Sequence, residues 1–84
     1  MPGTVPRLTV LSRSYCHLCE ELLAALRQYQ ARYDFEIEVV DVDRDARLEE
    51  KWGDKVPVLL DGDLEICHYY LDVEAVDTRL ARMR

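Results

Sequence analysis

The chain has 84 residues, enough for one domain near the lower limit at which a single core is stable without staples. Eleven basic against 17 acidic residues give a formal net charge of −6, so no basic patch is available for a nucleic-acid partner. Nearly half the residues are hydrophobic and a third are charged, an ordinary globular balance with no run approaching a membrane span.

Residues 1–7 lack the basic-then-apolar pattern of a signal peptide, and three cysteines are an odd number for a secreted disulfide scaffold. A cytoplasmic, monomeric protein is expected, with no membrane association.

Two prolines and a glycine make residues 1–6 a flexible lead-in. Arg7-Leu8-Thr9-Val10-Leu11 alternates and is rich in β-formers, which predicts a strand ending at Ser12. From Cys16 to about Tyr33, residues Leu18, Leu22, Ala25, Leu26, Tyr29 and Tyr33 form one helical stripe. Glu20 and Glu21 early and Arg27 and Arg32 late follow the order the helix dipole favours.

A second strand is expected over Phe35–Val42. Asp43 or Asp45 can then cap a short helix that carries Leu48 and Trp52 and stops at Gly53. Val56-Pro57-Val58-Leu59-Leu60 reads as a third strand, and Asp61-Gly62 as a tight turn into a fourth over 63–68. Asp72 caps a last helix with stripe Val73, Val76, Leu80 and Met83. The order is βαβαββα: an α/β fold with a four-stranded mixed sheet flanked by three helices.

The chemistry concentrates in Cys16-His17-Leu18-Cys19 at the start of the first helix. Two cysteines at this spacing can close a small disulfide, and helix N–H groups favour a thiolate on the first. His17 and Arg13 favour that thiolate, while Glu20 and Glu21 oppose it by comparable amounts. Half a zinc site, completed by Cys67 with His68 or His17, is the competing reading, with a shared iron–sulfur cluster as its variant and a purely structural pair as the third. Asp41-Val42-Asp43-Arg44-Asp45 imitates a calcium loop but has Ala46 where glycine is needed and Trp52 where glutamate is needed, so calcium is rejected. Cys67 reads as a buried strand residue beside Leu64 and Ile66; Tyr69 and Tyr70 are either packing residues or an aromatic rim.

Arg13-Ser14-Tyr15-Cys16-His17-Leu18-Cys19 after a strand, with Lys55-Val56-Pro57-Val58 before a hairpin, resembles a glutaredoxin of the thioredoxin-like superfamily. It is similar to small bacterial glutaredoxin-like proteins with a Cys-x-Leu-Cys motif. The resemblance implies a thioredoxin-like fold and a thiol–disulfide oxidoreductase working by a dithiol mechanism. Cys16 would be the attacking thiolate and Cys19 the resolving thiol. Pro57 would be a cis-proline that lets Val56 pair with substrate, Arg13 matches the basic residue that could hold the glycyl carboxylate of glutathione, and Tyr15 would belong to the substrate-binding surface. No bound cofactor is implied, and glutathione is the candidate reductant. Glutaredoxins usually carry Gly-Gly and then Asp after the hairpin to hold glutathione, whereas this chain has Cys67-His68-Tyr69-Tyr70. The expected substrate is a protein or glutathione disulfide. The competing class is a thioredoxin-fold binding module, or a metal-binding domain, without turnover.

Overall fold

A computed structural model describes residues 5–82. Residues 1–4 of the lead-in expected over 1–6, and Met83 of the last helical stripe, lie outside the described residues, while the Pro6 carbonyl accepts from Glu36 N–H at 2.8 Å.

Four strands, β1 (Arg7–Ser12), β2 (Glu36–Asp41), β3 (Val58–Asp61) and β4 (Leu64–His68), form one sheet in the order β2-β1-β3-β4. β1 runs parallel to β2, with Leu8 opposite Ile37 and Ser12 opposite Asp41. It runs antiparallel to β3, with Leu11 opposite Val58. The hairpin of β3 and β4 turns at Gly62, whose φ of +62° is the left-handed conformation that a tight turn needs.

Alternation along β1 splits the core between the two sheet faces. Leu8 and Val10 point with Leu59 and Cys67 toward α1 (His17–Tyr29) and α3 (Val73–Arg82), where Leu22, Leu26, Val76 and Leu80 are buried. On the opposite face Leu11, Val42, Val58 and Leu60 form a smaller cluster under α2 (Ala46–Trp52). Leu48 and Trp52 pack on that cluster only half-buried, and α2 has no fully buried residue.

Helix α1 ends at Tyr29, four residues short of the expected Tyr33. The chain tightens there through bonds from Gln30 N–H to the Arg27 carbonyl and from Ala31 N–H to the Gln28 carbonyl. The Gln30 side chain then donates to the Phe35 carbonyl at 2.9 Å and turns the backbone into β2. β3 begins at Val58 rather than Val56, because Pro57 has no N–H for the ladder and the Val56–Pro57 peptide is cis.

The capping carboxylates divide their work. Asp41 accepts from Asp43 N–H at 2.9 Å and caps a single 3-10 turn, Val42–Arg44. Asp45 caps α2, accepting from Arg47 and Leu48 N–H at 2.9 and 3.3 Å. Asp72 accepts from Ala75 N–H at 3.1 Å at the head of α3. Asp45→Ala removes the α2 cap and is expected to cost about 1 kcal/mol, read as a lower urea midpoint at unchanged m-value. No change in midpoint would show that α2 is held entirely by Leu48 and Trp52.

Candidate functional site

The sheet register gathers the sequence motifs at one end. The last residues of β1 and β2 and the first residues before β3 meet there, since Leu11 pairs with Val58 and Ser12 with Asp41. β4 delivers its end to the same place, where Tyr69 N–H donates to the Pro57 carbonyl at 2.8 Å.

Cys16 is the N-cap of α1, in extended backbone conformation (φ −103°, ψ 107°), and its Sγ accepts from Cys19 N–H at 3.3 Å. The sulfur therefore does what an N-cap oxygen usually does, satisfying one of the free N–H groups of the first turn. Cys16 is partly exposed, whereas Cys19 is only 3% exposed on the core-facing side of the same turn. Both thiols are free.

The Cys19 thiol is pushed up to about 12, first by burial and next by the hydrogen bond it donates to Cys16; a bond from the Arg13 main chain and the Arg13 charge pull the other way. Cys19 thus holds its proton and lends it to Cys16 sulfur. One cysteine of the pair is partly exposed and its sulfur accepts a helix N–H; the other is sheltered and keeps its proton.

The other expected site residues occupy different settings. Pro57 is buried, and Val56 is extended and half-buried against the Leu11 cluster. Tyr15, immediately before Cys16, is fully exposed and held at φ +61°. Such a backbone is uncommon for an aromatic residue and turns the ring outward beside the cysteine. Arg13 is engaged by the protein itself: its Nη2 donates to Glu49 Oε2 at 2.5 Å, and its Nε lies 3.3 Å from Asp43 Oδ1.

Tyr69 has φ +65°, so the position after β4 uses left-handed backbone although it is a tyrosine. Its ring meets His68 edge-on at 4.7 Å, and its hydroxyl donates to the Asp54 carbonyl at 2.8 Å. That bond and the Pro57 contact hold the conformation a glycine adopts without cost. Tyr70 is largely exposed beside it. Cys67 is buried in the main core, and burial raises its thiol. His17 is exposed, while His68 Nδ1 pairs with Glu65 Oε2 at 2.6 Å. Among the described residues no group of three or more His, Cys, Asp or Glu side chains is placed to hold a metal ion.

Asp43 and Glu49, the carboxylates that meet Arg13, are not singled out as its partners by the sequence. In the sequence Asp43 reads as a helix cap or as part of the rejected calcium loop, and Glu49 is 36 residues from Arg13 with no pattern linking them.

The buried thiols set how stability responds to pH. An unfolded cysteine loses its proton near ~8.5, whereas folded Cys19 keeps it to about 12. Between those values the unfolded chain binds fewer protons, so stability of the reduced protein falls as pH rises. At pH 10 Cys19 alone accounts for a loss of about 2 kcal/mol. Urea midpoints of the reduced protein near pH 7.5 and 10 are expected to drop by more than those of Cys19→Ser; equal slopes would exclude the effect.

The strand order, the helix-capping Cys-x-x-Cys and the Val-Pro segment beside it define a thioredoxin-like domain. The chain belongs to the family of the glutaredoxin-like domain (DUF836), whose sequence profile matches residues 7–81. The solution structure of protein Ne2328 from Nitrosomonas europaea is similar at 42% identity and TM-score 0.81, over 95% of this chain and 99% of that one. The X-ray structure of protein XcR50 from X. campestris is similar at 33% identity and TM-score 0.71, over 89% and 96%. Thioredoxin 1 from the thermophilic eubacterium Thermosipho africanus shares the fold at 20% identity and TM-score 0.60, over 90% and 96%. No curated protein matches the chain. No helix among the described residues is long and apolar enough to cross a membrane.

Proposed function

We propose that the protein is a thiol–disulfide oxidoreductase that works through Cys16 and Cys19. The observation that carries this reading is the asymmetry of the pair: Cys16 sulfur is accessible and accepts the Cys19 N–H bond, while Cys19 is buried and its thiol is raised to about 12. The Cys16 thiolate attacks one sulfur of a substrate disulfide, forms a mixed disulfide and releases the other half as a thiol, which takes up a proton. Cys19 then gives up its proton and attacks Cys16 sulfur, releasing the second half. Two electrons pass from the protein dithiol to the substrate, and the protein is left with a Cys16–Cys19 disulfide. A protein or small-molecule dithiol, or two molecules of a monothiol such as glutathione, reduces that disulfide, is itself oxidised to a disulfide, and completes the cycle.

The surroundings serve these steps. The raised Cys19 thiol keeps the second attack from preceding the first, and release of its hydrogen bond to Cys16 sulfur accompanies formation of the mixed disulfide. Val56, extended beside Pro57, offers main-chain pairing to a substrate segment lying along that edge. A reducing compartment such as the cytoplasm suits a protein with two free active thiols and a third buried in its core.

The test counts free thiols after mild oxidation and after reduction, and follows reduction of a protein disulfide in parallel. Loss of two thiols on oxidation, from Cys16 and Cys19 by mass mapping, with turnover in the second assay, is expected. Three free thiols after oxidation, without turnover, would favour a binding module on the same fold.

A further inference from the structure

Arg13, whose charge acts on Cys19, is already compensated. Arg13 meets Glu49 through Nη2 and faces Asp43 through Nε, and both carboxylates are about half exposed. This cluster packs on bare backbone: a Cβ at Gly53 would come within 2.8 Å of Glu49 Cδ and 3.0 Å of Arg13 Nη2. Arg13 also touches the reacting pair, since its main chain bonds to the Cys19 thiol and its charge pulls on it. Glu20 and Glu21 stand exposed on α1 next to Cys16, and the whole chain carries −6. A disulfide approaching Cys16 therefore meets a neutralised cation among surplus carboxylates.

Fields of one sign steer partners of the other sign and repel like charge. Tyr15 adds an exposed aromatic face directly before Cys16, a surface on which a lysine or arginine side chain can lie. We infer that this site selects cationic and neutral disulfides over anionic ones, and that Glu49 and Asp43 set the preference by occupying the Arg13 guanidinium. The inference rests on the dithiol reading above. The substrate class it names is a polypeptide disulfide flanked by basic side chains. Glu49 and Asp43 act through Arg13 and are positioning residues.

The test mixes reduced protein with cystamine, hydroxyethyl disulfide or oxidised glutathione: cationic, neutral and anionic. Release of two thiols per protein is followed, and each rate is divided by that of the same disulfide with free dithiothreitol, which removes differences in leaving group. The order cationic, neutral, anionic is expected, with a span of about tenfold or more at low salt that shrinks near about 0.5 M salt. In the Asp43→Asn, Glu49→Gln double variant the anionic disulfide should gain about tenfold on the cationic one, equivalent to about 1.4 kcal/mol. Gly53→Ala pushes the flexible end of Glu49 off Arg13 without touching either charge, and should move the ratio the same way. Oxidised glutathione reacting fastest in the unaltered protein, or a ratio unmoved by salt and by the variants, overturns the charge selection alone. No oxidation by any of the three disulfides overturns the dithiol reading, and the selection with it.

Discussion

Replacing Cys16 with serine should abolish disulfide reduction, by three orders of magnitude or more, because the attacking sulfur is lost and neither remaining thiol can replace it. Cys19 is 3% exposed and its thiol is raised; Cys67 is 8% exposed in the main core and raised by burial as well. At pH 7.5 a thiol raised to about 12 is ionised on the order of 10⁻⁴ to 10⁻⁵ of the time. Loss of the Cys16 partner removes part of that shift, but the larger part comes from burial and persists. The variant should therefore resist iodoacetamide at neutral pH while the unaltered protein loses one thiol quickly. A rapidly alkylated thiol in the folded Cys16→Ser protein would contradict this assignment of roles. Cys19→Ser gives the complementary result: Cys16 still attacks, and the mixed disulfide accumulates because nothing resolves it.

The second large effect is structural. Leu26 is fully buried on α1 against β1, β3 and α3, within the cluster that holds Leu8, Val10, Leu59 and Leu80. Truncation to alanine removes three carbons and leaves a cavity the sheet cannot close, at a cost of about 2–5 kcal/mol. A domain of this size has roughly 4–13 kcal/mol to lose, so Leu26→Ala should lower the melting temperature by about 10–30 °C and populate the unfolded chain. Leu64→Ala is the control, since Leu64 is half exposed at the start of β4. It should leave the urea midpoint nearly unchanged. Comparable losses at the two positions would mean that the α1–sheet contact is not the main core.

Much of this architecture is legible in the sequence because local signals agree. The Asp61-Gly62 pair, the Asp45 and Asp72 caps and the alternation of β1 each specify their element, and the structure has those elements. The Cys-x-x-Cys was readable for the same reason: its chemistry depends on short spacing. Element ends were less so. Residues 30–33 continue the helical pattern of α1, yet a side-chain bond from Gln30 to Phe35 diverts the chain, and no periodicity encodes it. Longer-range relations were not readable at all. Asp43 looks like a cap until its distance to Arg13 is known, and Gly53 looks like a helix stop although it also makes room for the Arg13–Glu49 pair. Tyr69 stood where glycine was expected, and side-chain identity alone did not show that the backbone there keeps a glycine-like φ.

The two faces of the sheet are unequally secured, and this bears on time rather than geometry. Among the described residues the face under α1 and α3 buries ten core residues and the face under α2 four, and α2 itself buries none. Local opening follows such differences, so the amides of α2 should exchange with solvent deuterium well before those of α1 or β1. Glu49 travels with α2. Each opening withdraws a carboxylate from Arg13, so the electrostatic surroundings of the cysteine pair should fluctuate at the opening rate of α2.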